Sequence, residues 1–227
     1  MLQNKKILTV IPARGGSKGL PGKNVKTLID KPLIAWTIEL ANRCEFIDRV
    51  VVSTDDTDIA EVAKAHGADV PFMRPAELAT DSAPTKDALV HCVNALDENY
   101  DVLVLLQPTS PLRTLETLQT GIELSVQENA SVVSVSESAK PIEWMFYRAE
   151  KGIEYVTQEH PRPTRRQECK PVYYVDGCVY VMPISDLLAG KPIFDENALT
   201  VVSQSGEAVD IDTIKDFEFC EFLLKGK

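Results

Sequence analysis

Two short stretches, near opposite ends of the chain, carry residue types suited to phosphate chemistry. Residues 11–24 read IPARGGSKGLPGKN and hold four glycines, two lysines and one arginine directly after an apolar run. Glycines let backbone N–H groups approach phosphate oxygens closely, and Arg14, Lys18 and Lys23 can neutralise charge. Two known phosphate loops do not fit. The dinucleotide pattern G-x-G-x-x-G is absent, and Gly16 to Gly22-Lys23 has one spacer too many for G-x-x-x-x-G-K-[ST], with Asn24 at the Ser/Thr position. Pro21 and Pro32 also keep the chain irregular where a P-loop would run directly into its helix.

The second stretch is Asp210-Ile211-Asp212. Carboxylates at i and i+2 of an extended segment point to one side, and such a pair can share Mg²⁺ with substrate phosphates. The next residues, Thr213 to Asp216, look like a capping box, so Asp212 could instead complement a helix dipole. Spacing by itself favours that second explanation.

Between these ends, Gln107-Pro-Thr-Ser-Pro-Leu-Arg113 follows an apolar run, as either a substrate-facing or an ordinary turn. Arg162, Arg165, Arg166 and Lys170 cluster around Glu168, either as surface charge or as a carboxylate-binding set. The histidines (His66, His91, His160) form no triad with a Ser or Cys nucleophile, so covalent catalysis has no support.

The elements that must position these residues follow from apolar periodicity. Unbroken apolar runs at 6–12, 49–54, 101–106 and 131–136 read as buried strands. Helix-periodic segments at 32–44, 57–66, 85–98 and 114–128 alternate with them, which indicates a mostly parallel α/β sheet covered on both faces. Ligands of such sheets bind beyond the carboxyl ends of the strands, where residues 13–24 and 107–113 emerge. Residues 137–171 lose this periodicity and read as an arm inserted in a core of residues 1–136 and 172–227. That core closes with strands at 172–182 and 198–202 and helices near 185–189 and 213–224.

Composition limits the partners. The 227-residue chain is 44% hydrophobic with a net charge of −10, which suits one globular unit and argues against nucleic-acid binding. The exception is local: Lys5 to Lys31 holds six lysines and one arginine against the single acid Asp30, an island suited to a small polyanion. Five scattered cysteines without C-x-x-C spacing suggest neither disulfides nor zinc. No apolar run approaches the roughly 18–20 residues of a membrane span, and the N-terminal residues lack a signal-peptide pattern, so a cytoplasmic location is expected.

Taken together, PARGGSKGLPGKN (12–24), VVSTDDTDIAEVAKAHGADV (51–70), RPAELATDSAPT (74–85), LLQPTSPLRT (105–114) and VDIDT (209–213) resemble the CMP-sialic acid synthetase family, the acylneuraminate cytidylyltransferases. The resemblance implies a Rossmann-like nucleotidyltransferase core with a small arm that makes a homodimer. It also implies transfer of CMP from CTP to the anomeric hydroxyl of a nonulosonic acid, with release of pyrophosphate. By the same resemblance Arg14, Ser17 and Lys18 hold the triphosphate, and Lys23 and Asn24 lie beside the α-phosphate and nucleotide. Arg74 and Thr85 lie near the cytidine, and Gln107, Arg166, Tyr180 and Phe194 near the sugar. Asp210 and Asp212 become the Mg²⁺ pair, which reverses the order that spacing suggested. Where sialic acid enzymes have Arg-Pro-Asn-Gly this chain has Tyr174-Val175-Asp176-Gly177, which would add negative charge near the sugar. Legionaminic and pseudaminic acids therefore stand beside sialic acid as acceptors. The rival readings are a GT-A-type glycosyltransferase with its own Asp-x-Asp site and a nucleotide-binding protein without catalysis.

Overall fold

The computed structural model describes residues 2–158 and 161–226; His160 lies outside them. The central strand β1 (Ile7–Pro12) is buried almost throughout because its residues, ILTVIP, meet helices on both faces. It pairs in parallel with β4 (Arg49–Ser53) on one side and β5 (Val102–Leu105) on the other. The sheet order is β10-β6-β9-β5-β1-β4, including β6 (Val132–Glu137), β9 (Tyr173–Pro183) and β10 (Leu199–Val202). β9 runs antiparallel to both neighbours and every other pairing in this sheet is parallel. The mostly parallel α/β expectation therefore holds.

Helix α1 (Leu33–Asn42) crosses from β1 to β4, and the chain then returns to β1's other side through α2 (Thr57–Ala65) and α3 (Thr85–Asn94). The direction of winding thus reverses at β1, the place where an open α/β sheet leaves a crevice. Local signals set the helix starts. Asp56 caps α2 by accepting from the Asp58 and Ile59 amides, and Thr114 caps α4 (Leu115–Glu128) by accepting from Thr117 N. Asn129, in the left-handed region at φ 50°, ends α4. The core packs Ile7, Ile11, Ile34, Ile38 and Val104 on one face of the sheet and Leu8, Val10, Leu89 and Leu103 on the other. Truncating one of these, as in Ile11→Ala, would cost about 2–5 kcal/mol.

The periodicity-free segment leaves the sheet after β6 and returns at β9, whose ends pair as Ser136↔Tyr174 and Glu137↔Tyr173. It contains a two-stranded hairpin, β7 (Phe146–Arg148) with β8 (Ile153–Tyr155). Near the N-terminal loop, β2 (Thr27–Leu28) pairs with β3 (Lys31–Pro32). The last elements are α5 (Ile184–Leu188) and α6 (Ile214–Lys225). Cys44, Cys92, Cys178 and Cys220 are buried and in no disulfide among the described residues. Among the described residues no helix is long and apolar enough to cross a membrane.

Candidate active site

A cleft of about 640 Å³ opens at the carboxyl ends of β1 and β5. Arg14, Ser17, Lys18, Gly19, Lys23 and Asn24 line it from the loop after β1; Arg74, Asp81 and Thr85 line it from the approach to α3. Gln107 and Thr109 come from the turn after β5, and Asp210, Asp212 and Thr213 from the segment before α6.

The glycine-rich loop is shaped by carboxylates and by close approach. Gly15 N donates to Asp55 Oδ1 at 3.0 Å, and a side chain at Gly15 would collide with Asp56. A Cβ at Gly19 would fall 2.5 Å from the Asp212 carbonyl oxygen, so only glycine lets the loop lie against the acidic segment. Gly22 adopts φ 66°, turning the chain into the short 3-10 turn Lys23–Val25. Asn24, almost fully buried, donates from Nδ2 to the Arg14 carbonyl at 3.1 Å and so fixes the loop's own backbone.

Lys23 joins the two ends of the chain. Its Nζ donates to the Ile211 carbonyl at 2.6 Å and lies 3.3 Å from Asp212 Oδ1. Asp210 and Asp212 both face the cleft while Ile211 between them is fully buried, as extended i, i+2 geometry requires. The helix start is served by others: Thr213 and Asp216 form the reciprocal capping box of α6. Asp212 is therefore not the cap, although it stands one residue before it, where a carboxylate also complements the helix dipole.

Desolvation against the cleft wall pushes the Asp210 carboxyl up, and the Asp212 charge adds to this, while Thr109 and Lys23 oppose it. Solvent still reaches Asp210, so the push is partial. Two oxygen-donor side chains whose charges disfavour each other suit a hard divalent cation such as Mg²⁺. Among the described residues no group of three or more His, Cys, Asp or Glu gathers as a metal cage, so such a cation would take its other ligands from substrate and water.

Arg74 is 7% exposed and anchored to the end of β4: Nε donates to Ser53 Oγ at 3.0 Å and Nη2 to the Ser53 carbonyl. Arg14 and Lys18 both pair with Asp81, a residue that no motif or spacing singles out. Direct hydrogen bonds from Lys18 and then Arg14 hold the Asp81 carboxyl below its ordinary pKa. Only the fold shows that this acid faces the cationic loop.

Three expected sugar contacts stand outside the cleft lining. Tyr180 and Phe194 pack against each other with ring centroids 6.1 Å apart, and burial followed by the Asp176 and Asp210 charges raises the Tyr180 hydroxyl's pKa. Arg166 lines a separate small cleft at the root of the arm, with its Nη2 4.0 Å from Glu137. The second basic cluster does not converge on one anion: Arg165 pairs with Glu168, and Arg162 lies over the Tyr155 ring. Asp176 does not itself line the cleft, although its charge reaches the Tyr180 hydroxyl. Its carboxylate is buried and accepts from Ser134 Oγ, Ser136 Oγ and Cys178 N, turned into β6 rather than the cleft.

Residues 8–223 match the family model described as Cytidylyltransferase. The chain is 35% identical to the CMP-N,N'-diacetyllegionaminic acid synthase of Legionella pneumophila, covering 97% of each chain. It is 34% identical to the pseudaminic acid cytidylyltransferase of Campylobacter jejuni, again covering 97% of each. Its fold is similar to that of a solved CMP:2-keto-3-deoxy-manno-octonic acid synthetase complexed with CTP, with a TM-score of 0.73 at 18% identity, covering 98% of this chain and 99% of that one. The chain belongs to the cytidylyltransferase family of nucleotidyltransferases.

Proposed function

We propose that the protein transfers CMP from CTP to the anomeric hydroxyl of a nonulosonic acid and releases pyrophosphate. One observation carries the reading: the cationic loop after β1 and the aspartate pair before α6 line a single cleft. Relatives named for legionaminic and pseudaminic acids support an acceptor of that class.

In the reaction the sugar hydroxyl oxygen attacks the α-phosphorus in line, its proton passes to solvent water, and the bond from the α-phosphorus to the bridging oxygen breaks, that oxygen leaving with the pyrophosphate. Both reactants are anionic, so the residues act mainly by screening and alignment. Lys23 stabilises charge at the α-phosphate, while Arg14 and Lys18, with Ser17, hold the departing pyrophosphate. Asn24 keeps the loop in shape, and Arg74 and Thr85 border the nucleoside. Gln107 contacts the sugar from the cleft, and Tyr180, Phe194 and Arg166, which stand outside the cleft lining, are the further candidate sugar contacts. Asp210 and Asp212 would hold Mg²⁺, which supplies charge neutralisation at phosphate oxygens.

The arm supports a homodimer. Phe146, Tyr147, Ile153 and Val156 on and beside the β7–β8 hairpin are 52%, 65%, 49% and 41% exposed. A lone two-stranded hairpin is marginal in water, and an apolar face of this kind is stabilised by a second copy. Sedimentation should report a dimer that Tyr147→Arg dissociates; an unchanged mass would remove the arm from the interface.

The activity is tested by incubating the protein with CTP, Mg²⁺ and a panel of sialic, legionaminic and pseudaminic acids, scored by pyrophosphate release. Release with at least one acid is expected. CTP binding without turnover on any of them would favour the non-catalytic reading.

A further inference from the structure

Arg113 is buried, with 4% of its surface exposed, at the end of the turn after β5. Its guanidinium reaches three elements. Nε donates to the Cys178 carbonyl of β9, Nη2 to the Gln107 carbonyl at 2.8 Å, and Nη1 to the Thr37 hydroxyl of α1 at 3.4 Å. Thr37 Oγ1 in turn donates to the same Gln107 carbonyl at 3.5 Å. Desolvation pulls the guanidinium pKa down to about 10, against the opposing fields of Cys178, Asp176 and Glu207. Glu207 is itself 1% exposed and accepts from Thr117 Oγ1 at 2.8 Å.

Burying such charges is costly, and apolar residues of similar volume would commonly stabilise a core as well or better. What apolar residues cannot supply is a rigid fork of donors that holds several carbonyls at once. The carbonyls held here flank one spot. Gly177, at φ 80°, lies just before Cys178, and a Cβ there would fall 3.0 Å from Gln107 Oε1. Ser110 Oγ also donates to the Gly177 carbonyl at 3.4 Å. The Gln107 side chain therefore rests on bare glycine backbone, with both its own main chain and that floor tied to Arg113.

We propose that Arg113 is a positioning residue: its fork ties the Gln107 and Cys178 carbonyls together so that the Gln107 side chain is held over Gly177 for the acceptor sugar. This rests on the proposed function for Gln107's role as a sugar contact. Arg113 itself touches no substrate.

The test is steady-state kinetics on the full-length protein with CTP, Mg²⁺ and the nonulosonic acid that the wild type turns over. Gln107→Ala, Arg113→Lys and Gly177→Ala should each raise the sugar KM by about tenfold or more. The CTP KM should stay within about twofold, because the displaced group is not a nucleotide contact. In the Arg113→Lys/Gln107→Ala double variant the sugar KM should be no higher than in Gln107→Ala alone, since both act through one side chain. Multiplying effects, or parallel rises in both KM values, would overturn the clamp. If Arg113→Lys does not fold, Thr37→Val removes the hydroxyl shared by Arg113 and Gln107. It should show the same split at smaller size, and an unaltered sugar KM there would overturn the proposal. A wild type that releases no pyrophosphate with any acid overturns the proposed function and the clamp's purpose together; variants of an active wild type that lack the split overturn the clamp alone.

Discussion

Lys23 Nζ lies 3.3 Å from Asp212 Oδ1, although 189 positions separate the two residues in the chain. This pairing joins the cationic loop to the acidic segment. Asp212 is otherwise open, with 74% of its side chain exposed, and α6 is capped without it. Asp212→Asn should therefore leave folding stability within about 0.5 kcal/mol. Its turnover should fall about a hundredfold or more, as expected when charge stabilisation at the phosphates is lost. Thermal melts and kcat with Mg²⁺ check this; near-normal kcat with an unaltered metal requirement would remove Asp212 from the site.

Gly19 and Gly16 separate steric need from flexibility. A Cβ at Gly19 meets the Asp212 carbonyl, whereas one at Gly16 meets nothing within 4 Å. Gly19→Ala should cost about 1–3 kcal/mol through forced displacement of the loop. Gly16→Ala should not lower the melting temperature of the ligand-free protein. Equal melting temperatures for the two variants would mean that the loop does not rest on the acidic segment.

Asp81 pairs with Arg14 and Lys18, the two cations that the proposed function assigns to the triphosphate. Replacing it by asparagine should free Arg14 and Lys18 and lower the CTP KM by about two- to fivefold, since exposed pairs are weak. The effect should shrink as salt is raised. A raised CTP KM at every ionic strength would show instead that Asp81 holds the loop in its working shape.

Asp176 predicts an acid limb of stability. Burial alone would raise its pKa, but hydrogen bonds from Ser134, the Cys178 amide and Ser136 outweigh it and hold the carboxyl below its ordinary value. A depressed folded-state pKa contributes stability that is present above the unfolded value of about 4 and is lost as pH falls through the folded value. Asp176→Asn should flatten that acid limb by about 1–3 kcal/mol. Denaturant midpoints measured from pH 7 downward check it, and identical slopes for wild type and variant would contradict it.

Much of the molecule is legible in its residues alone. Apolar runs such as Ile7–Pro12 and Val102–Leu105 became strands, and Thr213 with Asp216 became the helix start that their spacing suggested. The glycine and lysine pattern of residues 14–24 marks a cationic loop, and that loop lines the cleft. These features are legible because periodicity, capping and charge are written within short windows of chain. What no window contains is which segments meet. Strand order placed Lys23 beside Asp212, set Asp81 against Arg14 and Lys18, and turned Asp176 away into β6. The same order left Arg166 at the arm and enclosed Arg113 under Gln107. Those outcomes depend on the crossover at β1 and the antiparallel insertion of β9, long-range pairings decided by packing the whole sheet rather than by the residues adjacent to each side chain.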